Sequence, residues 1–173
     1  ELCRESDLWR SELLLFPDLL KMKTAVFPGT FDPFTLGHES IVRKAIPLFD
    51  KIVVAIGINS TKSAHFELNK RVEWINQTFS DAPQVEVGTY EGLTVDFCLE
   101  KNAEYILRGL RNPTDYQYES SIAQMNHAMQ PGITSVFLVC DPEYAAINSS
   151  IVREIFKSGG DISRFLPQTI VLD

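Results

Sequence analysis

The chain has 173 residues, 45% of them hydrophobic, and carries 16 basic against 23 acidic side chains for a formal charge of −7. That length and apolar content suffice for one domain with a sizeable core and are short for two, while the acidic balance argues against a nucleic-acid partner, whose phosphates demand a broad basic face. Cys3, Cys98 and Cys140 are odd in number, far apart and free of any C-x-x-C pairing, so neither a disulfide framework nor a zinc site is indicated, and a reducing cytoplasm is the expected compartment.

Residues 1–21 hold an apolar cluster, Leu13 to Phe16 with Leu19 and Leu20, that Pro17 interrupts and acidic residues flank. A secretory leader would be basic there, and a membrane span needs roughly 20 apolar residues, so neither is expected and no membrane partner is implied. We expect 1–21 to be an artefactual or disordered leader ahead of a physiological start at Met22, with an amphipathic helix that caps a neighbouring subunit as the alternative. From Met22 onward, short β-branched or aromatic runs predict strands at Thr24–Phe27, Lys51–Ile58, Gln84–Thr89, Tyr105–Leu107 and Thr134–Leu138. Between them, helical patterns cover Glu39–Phe49, Asn69–Thr78, Thr94–Lys101, Asp115–Ala128 and Ser150–Lys157. Pro47 should end or kink the first of these, having no donor and crowding the preceding turn. Such alternation predicts an α/β fold: a Rossmann-like, doubly wound sheet of about five parallel strands with helices on both faces, as one domain over 22–173. Ligands of such a sheet bind at the carboxyl ends of the strands.

The segment from Val26 to His38, VFPGTFDPFTLGH, ends the first strand in a glycine-turned loop and opens a helix. A helix that starts there points free N–H groups and the positive end of its dipole at the occupant of the loop, for which phosphate is the natural choice. Gly29 permits close backbone approach, Thr30 adds a hydroxyl and His38 a donor. Asp32, beside Pro33, reads as fixing its own loop through an Asx-type bond, outside the chemistry. A second concentration of chemistry follows the fourth strand, where Arg108-Gly-Leu-Arg111 sets two guanidiniums around a glycine, able to grip phosphate oxygens bidentately, with surface ion pairs to Asp115 and Glu119 as the alternative.

Gly29-Thr-Phe-Asp-Pro followed by Thr35-Leu-Gly-His38 resembles the T/H-x-G-H signature of the nucleotidylyltransferases. With the later motifs in order from about Met22 to Pro167, the chain resembles the bacterial phosphopantetheine adenylyltransferases. That resemblance implies reversible transfer of AMP from ATP to 4′-phosphopantetheine, giving dephospho-coenzyme A and pyrophosphate. The acceptor phosphate is already nucleophilic, so the reaction needs positioning and charge stabilisation in place of a strong base. By the same resemblance His38, Lys62, Thr30 and Arg111 carry the catalysis. The ATP contacts would be Thr30, Phe31, His38, Gly109, Leu110, Arg111, Glu119, Tyr144, Ile147, Asn148, Ser149 and Ser150; those to phosphopantetheine would be Thr30, Lys62, Thr94, Arg108 and Asn126. Glu119 closes an Asp115-Tyr-Gln-Tyr-Glu119 run that fits the family pattern. Ile122 and Met125 resemble a wall for the pantetheine arm, although Met125 reads equally well as core filler.

The family shows serine where this chain has Asn148; asparagine caps helices well, so anion binding should survive while the role of that hydroxyl is open. The chain also ends at Asp173 without the terminal helix usual in the family. The resemblance further implies a homohexamer arranged as a dimer of trimers, coenzyme A as a feedback ligand, and Mg2+ that arrives with ATP with no metal site of the protein's own. Two competitors stay in view: a sister nucleotidylyltransferase that takes another acceptor, and a non-catalytic coenzyme A or nucleotide sensor on the same fold.

Overall fold

The computed structural model describes residues 21–58 and 64–172. Five strands, β1 (Thr24–Gly29), β2 (Lys51–Gly57), β3 (Val85–Tyr90), β4 (Tyr105–Leu110) and β5 (Thr134–Val139), form one parallel sheet in the order β3-β2-β1-β4-β5. The helices are α1 (Leu36–Ala45), α2 (Leu68–Thr78), α3 (Thr94–Glu100), α4 (Pro113–Met129) and α5 (Ser149–Lys157). β1 and β2 are buried on both faces, which their near-continuous apolar sequences require of central parallel strands. Against one face, Ala25, Phe27, Ile52, Val54, Ile56 and Leu107 pack on Ile41, Val42 and Ala45 of α1, Trp74 and Ile75 of α2 and Val152 of α5. Against the other, Val26, Val53, Ala55 and Ile106 pack on Val95, Phe97 and Cys98 of α3.

The sheet is therefore doubly wound, and its winding reverses between β1 and β4. There the ladder is short. Ala25 and Val26 pair with Tyr105 and Ile106, after which the strands part, whereas β1 pairs with β2 as far as Gly29 and Ile56, and β4 with β5 as far as Leu110 and Val139. A crevice opens at the carboxyl ends of β1 and β4.

The first helix begins three residues earlier than the sequence suggests because Thr35 takes the N-cap and the backbone N–H of Thr35 is bonded by the side chain of His38, three positions on. It ends at Ala45, and Pro47 sits in a 3-10 turn over Ile46–Leu48, as the missing donor dictates. α4 starts at Pro113, before the predicted Asp115, since proline is suited to the first helical position and Asn112 caps it through Asp115 N–H at 2.9 Å. No residue of α4 is buried, and Tyr118 (69% exposed) and Met125 (64%) face outward. No described helix is long and apolar enough to cross a membrane.

Candidate active site

Two cavities share the crevice. The larger, about 570 Å³, is walled by Gly57, Tyr90, Thr94, Ile106, Ile122 and Asn126. The smaller, about 280 Å³, is walled by Phe31, His38, Gly109, Arg111, Ile147 and Asn148. Pro28, Gly29, Thr30, Arg108 and Glu119 line both, so the two chambers meet over the end of β1.

His38 stands in the first turn of α1 among the rings of Phe31 (5.1 Å), Phe34 (5.3 Å) and Phe27 (6.3 Å). Its Nδ1 accepts a hydrogen bond from the Thr35 backbone N–H at 3.1 Å, so in the neutral ring the proton is on Nε2. Burial, followed by the charges of Arg111 and Arg108, pushes the imidazole pKa down to about 3. The residue is thus a neutral donor fixed in one tautomer at a helix N-terminus, suited to stabilise charge that develops on a phosphoryl oxygen and unsuited to exchange protons near neutral pH.

The two arginines reach the crevice from the end of β4. Arg108 donates from Nε to Glu119 Oε2 at 2.7 Å, pairs through Nη2 with the other carboxylate oxygen, and donates from Nη1 to the Pro28 carbonyl at 2.8 Å. That last bond ties β4 to β1 where their ladder has ended. Arg111 donates from Nε and Nη2 to Asp115 at 2.9 and 3.2 Å. Burial works to raise the Asp115 carboxyl, but the bonds from Arg111 outweigh it and hold the group below its ordinary value. Each carboxylate of α4 therefore fixes the plane of one guanidinium by its Nε edge. Among the described residues Nη1 of Arg111 has no protein partner, which leaves that side of the fork for an anion.

Gly109 lets β4 approach α1: a Cβ there would lie 2.8 Å from Cγ1 of Ile41. Gly109→Ala is expected to destabilise the fold by about 1–3 kcal/mol through overpacking. Thermal melts check this, and with Ile41→Ala in the same chain the two losses should add to less than their sum.

At the third wall, Asn148 caps α5 by accepting from Ser150 N–H at 2.8 Å, so asparagine fills the capping role in place of serine. Ser149 donates to the Pro33 carbonyl at 3.0 Å and pins α5 to the loop after β1. Ile147, Asn148 and Ser149 line the smaller cavity. Ser150, Tyr144 and Leu110 do not: Ser150 lies beyond the cap, the Tyr144 backbone packs near Gly37, and the Leu110 carbonyl accepts from Cys140 N–H at 2.8 Å.

Thr94 and Asn126 line the larger cavity, and the Thr94 hydroxyl lies 2.9 Å from that of Tyr90, a residue the sequence did not single out. Tyr90 stacks on Phe97 beneath, a placement set by tertiary packing with no local signal. Lys62 lies outside the described residues. Asp32 does not bond within its own turn: it accepts from the backbone N–H groups of His65 and Phe66, both at 2.9 Å, and so anchors a distant segment. Cys98 and Cys140 are buried free thiols, the former pushed up to about 12 by burial.

Residues 26–155 match the cytidylyltransferase-like family. The phosphopantetheine adenylyltransferase of Flavobacterium psychrophilum is 46% identical over 149 residues, covering 86% of this chain and 98% of the relative. That of Cytophaga hutchinsonii is 47% identical over 148 residues, covering 86% and 99%. Among solved structures, the bifunctional NMN adenylyltransferase/ADP ribose pyrophosphatase of Francisella tularensis superposes with a TM-score of 0.67 at 16% identity over 87% of this chain and 46% of that one, a likeness of fold.

Proposed function

Since this chain belongs to the phosphopantetheine adenylyltransferase family, we propose that it transfers AMP reversibly from ATP to 4′-phosphopantetheine, yielding dephospho-coenzyme A and pyrophosphate on the way to coenzyme A. The meeting of two cavities at a rim that carries Thr30 and Arg108, with His38 and Arg111 beside it in the smaller one, carries this reading. The larger chamber, with Thr94, Arg108 and Asn126 on its walls, suits an elongated acceptor with amides and a terminal phosphate. The smaller, between His38, Arg111 and the N-terminus of α5, suits the nucleotide.

In this reading an acceptor phosphate oxygen attacks the α-phosphorus of ATP in line. As that P–O bond forms, the bond to the leaving pyrophosphate breaks and takes the electron pair with it. His38 donates through Nε2–H to an α-phosphoryl oxygen, Arg111 and Thr30 hold the nucleotide side, and Arg108 holds the acceptor phosphate. Lys62 would add an ammonium that touches both substrates. Magnesium would ride on the phosphates of ATP and water, where it offsets their charge. Coenzyme A would compete by placing its phosphopantetheine portion in the larger chamber. The outward Tyr118 and Met125 of α4 favour burial against further copies, in a cytoplasmic homohexamer built as a dimer of trimers.

The test is pyrophosphate release from Mg-ATP with 4′-phosphopantetheine, nicotinamide mononucleotide or no acceptor. Release that depends on 4′-phosphopantetheine, with dephospho-coenzyme A as product, is the expected result. Release with nicotinamide mononucleotide alone would make the protein a sister transferase, and silence with retained ATP binding would make it a sensor.

A further inference from the structure

Arg71 lies on α2 and is only 6% exposed. It spends its donors on two carbonyls, Nη1 to Thr30 at 2.7 Å and Nε to Phe66 at 3.0 Å. The backbone of Phe66 is held on its N-terminal side as well, since its N–H donates to Oδ1 of Asp32, itself 5% exposed. A closed ring results: from Thr30 along the chain to Asp32, across to Phe66, through the guanidinium of Arg71, and back to Thr30. Inside the ring Phe31 holds φ at 46°, a left-handed conformation that a bulky side chain seldom adopts. Arg153 closes the outer side, bonded to the Asp32 carbonyl and 3.6 Å from its carboxylate.

A buried charge is a poor device for stability alone, because an apolar side chain of similar volume often serves as well or better. What the arginine supplies here is a planar fork that reaches two carbonyls in fixed directions. One of them belongs to Thr30, at the rim common to both cavities. We propose that Arg71 is a positioning residue for the transfer reaction: by holding the Thr30 carbonyl from behind, it sets the Thr30 hydroxyl where the acceptor and nucleotide phosphates meet. This role rests on the AMP-transfer reading above. Misplacement of a contact by about 1 Å is enough to cost on the order of 10²-fold in rate.

Arg71→Lys keeps the charge and loses the fork, and it is the variant to make. Hydrogen exchange followed by mass spectrometry should show faster uptake in peptides spanning Gly29–Phe34 and His65–Phe66, with β2 and α3 as protected as in the parent. Turnover should fall about 10²-fold with the KM for each substrate close to the parent value. Unchanged exchange at Thr30, parental kcat, or a variant that fails to fold would each overturn the proposal, the last because it assigns Arg71 a structural role. Should the parent chain transfer no AMP, the exchange data still judge the clamp, so failure of the functional reading and failure of this one are told apart.

Discussion

Replacement of His38 by alanine is expected to lower kcat about 10²–10³-fold, the range for loss of one preorganised donor to a developing oxyanion. KM for both substrates should stay near the parent value, because the lost bond strengthens only as charge builds on the α-phosphoryl group. Steady-state kinetics with each substrate varied decide this, and an equal loss of binding would remove the role assigned to the ring. The pH behaviour follows from the same geometry. With its pKa held at about 3, the imidazole contributes no inflection to kcat between about pH 5 and 8. Its effect on stability has a definite sign: the folded pKa lies below the unfolded value of 6.5, so the unfolded chain binds the extra proton. The contribution is full above pH 6.5 and is lost as pH falls toward 3. Urea melts of the parent and of His38→Ala at pH 7, 5 and 4 should therefore converge from the acid side.

Arg108→Ala should raise the KM for 4′-phosphopantetheine ten- to a hundredfold, by the about 1.5–3 kcal/mol that a hydrogen bond to a charged group contributes, with a smaller change for ATP. A second cost falls on the fold, since the Glu119 side chain, 11% exposed, loses both bonds to the guanidinium. Breaking a fully buried pair costs about 3–5 kcal/mol; the Arg108 side chain is 28% exposed, so solvent screening brings the loss below that range. Adding Glu119→Gln separates the two effects: it should recover melting temperature and leave the acceptor KM high. Recovery of both would mean that Arg108 serves Glu119 and not the substrate.

The strands and the winding of the sheet were legible because apolar runs of strand length alternate with amphipathic helices, and the loop from Gly29 to His38 was legible because it resembles the nucleotidylyltransferase signature. Boundaries shifted where capping, not propensity, decided them, at Thr35 and at Asn112. The partners of buried polar groups were not legible. Asp32 looks local beside Pro33 and acts on residues 33 and 34 positions away, and nothing in the sequence around Arg71 points to the Thr30 carbonyl that it holds. Such pairings depend on how β2 and α2 are brought to the end of β1, which no local window contains. The arginines of β4 line the crevice, and their pairing with Asp115 and Glu119, which the sequence offers as the alternative to phosphate contacts, is present as well; what the sequence does not show is that each carboxylate takes the Nε edge of one guanidinium.

The division of the crevice has a pharmacological meaning. Most of the wall of the larger chamber belongs to it alone, including Tyr90, Thr94 and Asn126, and among the described residues five are common to both. With the larger chamber taking the acceptor, as we propose, a compound shaped to that wall and kept short of Thr30 would block the acceptor without imitating a nucleotide. High cellular ATP would not displace it, and the many other proteins that recognise adenine would offer it no second home.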